Sequence, residues 1–148
     1  MTACPPDTPG VLIDLAHHLH AQGVVRDPMT DQAGTSPLPS IWVGGLHPTP
    51  DHAVSVIGPW QNTTDSDTNP LIRFMVVVRS TPDDLAQVID TSQKVHTALH
   101  REQPFDLTAR QSVMFCERVI SDPPVQDENR RWRRVTTYET RLHLPTPH

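Results

Sequence analysis

The chain has 148 residues, which fits one domain spanning residues 1–148 and is long enough to bury a core. Apolar residues make up only 36% of it and 16 residues are proline, so much of it must be loop, and cover from partner subunits would add stability. The formal net charge of −5 argues against a dedicated nucleic-acid binder, whose binding face carries a basic excess.

Residues 1–8 read as a flexible arm without the basic and apolar regions of a signal peptide, and no apolar run approaches the roughly 18 residues of a membrane span. Synthesis and folding in the cytoplasm are therefore expected. Thr8 and Pro9 then read as N-cap and first helical residue, since proline has no N–H to lose there. Leu12, Leu15 and Leu19 recur at helical spacing, Val11 and Ala16 lie beside them, and Gly23 can end the element, which predicts a helix from Pro9 to Gln22. From Asp27 to Ser40 the composition is mostly Pro, Gly, Ser, Thr and Asp, a Pro-rich loop.

Ile41 to Val43 and Ala53 to Trp60 are strand candidates bounded by glycine and proline. The clearest strand is Pro70 to Ser80. Its Ile72, Phe74, Val76 and Val78 make a fully apolar face for the core, while Leu71, Arg73, Met75, Val77 and Arg79 point the other way. Between the last two strands lies Gln61 to Asn69, wholly polar, which predicts a hairpin with an exposed tip. Thr81-Pro82-Asp83-Asp84 reads as a second helix start with two carboxylates in the first turn, where the helix dipole favours them. Leu85, Val88, Ile89, Ser92, Val95 and Leu99 form its expected core stripe, with Asp83, Asp90, Lys94 and Arg101 off it. After Pro104, Ser112 to Ile120 and Trp132 to Leu144 read as strands separated by the acidic, proline-containing run Ser121 to Asn129. The order of elements predicts an α+β fold, a mixed and mainly antiparallel sheet with two helices packed on it.

Little in the chain points to catalysis. It has no GxSxG or Cys-His signature, and with six glycines it has neither a P-loop nor a dinucleotide fingerprint, so no enzyme and no cofactor is expected. Cys4 and Cys116 lack metal spacing and read as free thiols. Among the nine histidines, His96 and His100 stand one turn apart without the Glu of an HExxH pattern, and His96 falls on the helical stripe as a core or interface residue. His17, His18 and His20 fall largely on the polar side of the first helix. No metal site is expected, although a small His-based metal-binding domain is the competing reading from another class.

Arg130, Arg131, Arg133 and Arg134 around Trp132 form the one basic cluster. In a strand they alternate between faces, which favours pairing with Asp127, Glu128 or a neighbouring subunit's carboxylates over a grip on nucleic acid. With Gln61, Asn62, Thr63, Asp65 and Asp67 of the hairpin tip they are the candidate assembly interface.

Three stretches carry a resemblance: the N-terminal amphipathic helix; the strand-to-helix passage from Leu71 to Leu99; and the later strands, in which a proline-containing acidic turn leads through Asp127-Glu128 to Trp132 and an aromatic strand. Together they cover most of the chain, and in order, length and texture they resemble the tail terminator and minor capsid family of long-tailed bacteriophages. The long segment Asp27 to Ser40 and the loop His47 to His52 depart from it. The resemblance implies a virion protein of the neck, assembled in the bacterial cytoplasm as a homo-oligomeric, hexameric ring. It also implies tail tube protein and head connector as partners, DNA passing through without sequence-specific binding, and no membrane. The head-closure stopper of the connector is the alternative neck protein, although stoppers tend to be shorter and richer in strand.

Overall fold

The computed structural model describes residues 9–30, 32–33, 36–61, 71–100, 105–106 and 112–143. The N-terminal arm with Cys4, residues 62–70 of the hairpin, Arg101 and Leu144 lie outside the described residues. The elements in chain order are α1 (Pro9–Ala21), β1 (Ser40–Val43), β2 (Ala53–Gln61), β3 (Leu71–Pro82), α2 (Leu85–Leu99), β4 (Phe105–Asp106), β5 (Ser112–Ser121), β6 (Val125–Gln126) and β7 (Arg131–His143). They form the α+β fold that the sequence predicts.

Alternation fixes the sheet's orientation. Ile72, Phe74, Val76 and Val78 of β3 are buried, and through the pairs Val56↔Val76, Val54↔Val78 and Phe74↔Tyr138 they share one face with β2 and β7. Both helices cover that face, with α1 supplying Val11, Leu12, Leu15, Ala16 and Leu19 to the same core cluster. The sheet runs β1-β2-β3-β7-β5-β4, with β6 attached to β7. Among the described strands only β1 and β2 pair in parallel, and the others are antiparallel. Helix α1 ends where Gly23 takes φ +76, a conformation that costs glycine little, so that Gly23 N–H bonds His20 O and Val24 N–H bonds Leu19 O.

Three details differ from the sequence reading. Pro82 is the last residue of β3, and Asp83 and Asp84 precede α2 instead of occupying its first turn. Asp84 is the N-cap, its carboxylate accepting from Gln87 N–H at 3.0 Å, while Gln87 Oε1 reaches back to Thr81 N–H at 2.7 Å. The buried stripe of α2 is Val88, Thr91, Val95, Ala98 and Leu99. Small Thr91 and Ala98 let the helix approach the sheet, whereas Leu85 and Ile89 are 38% and 47% exposed. Finally, Val125 and Gln126 inside the acidic connection pair with Arg133 and Trp132, and Phe105 and Asp106 pair with β5. Two residues are too few to show a period.

Candidate assembly surface

The sheet's second face holds Arg79, Arg131 and Arg133. β1 and β2 are joined by residues 44–52, a connection shorter than the dozen or so that parallel neighbours usually need, and it passes over this face. Arg79 of β3 holds it there: Nε donates to Asp51 O at 2.9 Å, and Nη2 to His47 O and Pro50 O at 2.7 Å each. The side chain is only 4% exposed, and burial, with Arg131 nearby, lowers its pKa from the ordinary value. Three carbonyls satisfy a cation that would otherwise be costly to bury.

Arg131 completes the clamp. Its Nη1 donates to Pro48 O at 2.8 Å and meets Asp51 Oδ1 at 3.3 Å, while Nε donates to Asp127 Oδ2 at 3.0 Å. The Asp127 carboxyl is held below its usual range because hydrogen bonds from Arg131 and from the Asn129 backbone outweigh a burial effect that pushes it up. Arg130 takes φ +67 and pairs at 2.6 Å with Asp83, which takes φ +62; Asp83 N–H also donates to Arg130 O at 2.8 Å, so the two left-handed residues brace each other. The expected Arg131–Asp127 pair is thus present within the chain, and Arg130 pairs with Asp83.

Arg133 and Arg134 are placed differently. Arg133 is exposed and meets no carboxylate among the described residues. Arg134 lies on the helix side, its Nε donating to Asp122 O at 3.2 Å. Gln61 is the last residue of β2 and pairs with Ile72, so β2 and β3 form the expected hairpin, whereas Asn62, Thr63, Asp65 and Asp67 of its tip lie outside the described residues. Sequence reasoning missed Arg79 and Asp51 as cluster members, although one arginine at the end of a β3 run rich in valine was a signal.

The histidines do structural work. His18 Nε2 bonds Ala98 O and His20 Nδ1 bonds Val25 O, each at 3.0 Å, so neither is simply solvated. His52 Nε2 meets Thr91 Oγ1 at 2.9 Å, tying the loop to α2, and burial lowers its pKa. His96 stacks on His100 at 4.7 Å between ring centroids and on Tyr138 at 6.3 Å; burial, with Arg118 and His100 nearby, lowers its pKa too. Among the described residues, no group of three His, Cys, Asp or Glu could hold a metal ion. Burial pushes the Cys116 thiol up to about 12, which leaves it protonated and a poor nucleophile.

No family model and no curated protein matches the chain. Solved structures do. One is a chain of the virion of a native gene transfer agent particle, similar with a TM-score of 0.55 over 69% of this chain and 78% of that one, at 13% sequence identity. At that identity the likeness is one of fold. The sheet with its two helices is therefore an architecture also found in a virion chain.

Proposed function

We propose that this chain is a structural, non-enzymatic virion protein of a phage-like particle, acting at the neck as a tail terminator. In this reading six copies form a ring that caps the finished tail tube, stops its polymerisation and joins it to the head connector, with DNA passing through the hole. The observation that carries the virion part of the reading is the fold shared with the gene transfer agent virion chain over most of both chains. The order and texture of α1, β3, α2 and the later strands support it from the sequence side. The 15-residue α2 favours a terminator over a head-closure stopper, which is richer in strand.

Assembly chemistry is consistent with this role. The described surface leaves large apolar side chains exposed on α2, β5 and β6, and a heterologous contact through such surfaces makes a ring when the rotation between copies closes. Deleting the chain from a particle-producing strain tests the assignment. The expected result is filled heads beside unattached tails of irregular length. Normal joined particles, or a defect confined to the distal end of the tail, would overturn it.

A further inference from the structure

Among the described strands the sheet order ends at β1 and β4, and an open edge offers unpaired backbone groups to any other strand. β4 is two residues long, too short to template a partner. β1 is longer and places the strand-favouring residues Ile41, Trp42 and Val43 in succession. The bonds at its ends fix which way its amides point. Ser40 N–H donates to His52 O at 3.2 Å and Gly44 N–H to Val56 O at 2.9 Å, so the even-numbered amides face β2. Ile41 and Val43 therefore turn their amides outward, to the edge.

The chain that leads from α1 to β1 returns along this edge and takes its groups in turn. Arg26 N–H donates to Pro39 O at 3.1 Å, and Gln32 Oε1 accepts from Ile41 N–H at 2.9 Å. Gln32 Nε2 donates to Asp27 O at 2.8 Å and to Thr30 O at 3.0 Å, so one amide joins the returning chain to the strand. Arg26 ties the same chain from inside, its Nε donating to Leu38 O at 3.0 Å and its Nη1 to Gln32 O at 2.9 Å. Both side chains are nearly buried, at 9% and 8% exposure. Apolar packing contributes little. The core cluster takes Val24 and Val25 before this segment and Ile41 after it, and none of the described residues between. A segment held chiefly by polar bonds, along a strand already paired on its other side, is a cover.

We propose that Arg26 and Gln32 latch an autoinhibitory cover over the β1 edge, which keeps it from pairing with the β1 edge of a second copy. A second copy is the partner excluded because an antiparallel pair of β1 strands is isologous. Each strand then supplies the outward donors and acceptors that the other needs, and no further surface has to match. Val43, 42% exposed at the uncovered end of the strand, would be buried by such a pair. The cover matters most for a subunit concentrated beside its own copies. A head-to-tail contact needs to win there, and an open isologous edge diverts subunits into closed dimers. The cover is a property of this chain alone and stands apart from the neck assignment.

Removing the latch tests this. Gln32→Met keeps the length of the side chain and loses its acceptor and both donors. Val43→Pro deletes an outward amide that the sheet does not use, which blocks pairing at the edge. Folding of each variant is checked by circular dichroism, and association by sedimentation velocity over a concentration series. Gln32→Met should reach half-association with at least about tenfold less protein than wild type, because one or two new backbone hydrogen bonds are worth that much. Gln32→Met with Val43→Pro should return to the wild-type curve, and Val43→Pro alone should lie on it. Should Gln32→Met fail to fold, Arg26→Met takes its place in the same pair, since it releases Gln32 O and Leu38 O and frees the cover from its other end. A folded latch variant that associates no more than wild type, or one whose association Val43→Pro leaves unchanged, would overturn the cover. These outcomes are read without particles, so they are distinct from failure of the neck assignment, which is read from tail length and head attachment.

Discussion

Arg79 and Arg131 differ from Arg118, Arg133 and Arg134 although all five stand on three neighbouring strands of one sheet. The first two are covered by the 44–52 loop and spend their donors on its carbonyls and on Asp51 and Asp127. The other three meet no carboxylate among the described residues. An arginine's role is thus set by what folds over it. The clamped pair holds the chain together, and the open set is available to a partner.

The largest effect separates core from rim. Val76→Asp places an unpaired charge at a position 1% exposed and should leave no soluble folded protein. Leu85→Asp, at a position 38% exposed, should stay soluble and unfold near the wild-type temperature, contrary to the core role that its helical spacing suggests. Soluble fraction and thermal melting decide both.

Arg79→Ala comes next. It strips three carbonyls of their donor and should cost about 3 kcal/mol in denaturant unfolding, with the 44–52 loop becoming protease-sensitive. An effect below about 0.5 kcal/mol, the range of ordinary surface changes, would show that the clamp does not hold the loop.

Much of this was legible beforehand. The alternation of β3 named its buried face because a strand with a two-residue period and one fully apolar side has only one way to sit. The stripe of α2 was ambiguous because Val88, Val95 and Leu99 suit either of two adjacent faces, and the small residues Thr91 and Ala98 decided which one the sheet meets. Burial of Arg79 depends on a loop that returns across the sheet, a contact with a residue some 30 positions away that no local pattern encodes.

His52 gives a pH-dependent effect of intermediate size. Burial lowers its pKa below the ordinary 6.5, while Asp84 and Asp90 oppose this and Lys94 and Arg26 add to it. The neutral ring is therefore the form that the fold favours. Its contribution should be complete above pH 6.5 and lost as pH falls through the lower folded value. Melting temperatures of wild type and His52→Gln should accordingly converge on acidification, and a gap that widened instead would reverse the sign of the assignment.

The smallest expected change sharpens the contrast among the arginines. Arg133→Ala should shift unfolding by no more than about 0.5 kcal/mol, whereas Arg131→Ala, which frees Asp127 and the loop, should cost about 2 kcal/mol. Equal values in paired denaturation curves would remove the distinction between clamped and open arginines.

The virion role itself is tested most directly by counting. Quantitative mass spectrometry of gradient-purified particles, with the tail tube protein as internal standard, should find this chain at about six copies per particle, one closed ring. Absence from purified particles, or a copy number on the scale of the tube or capsid lattice, would contradict a terminator at the neck.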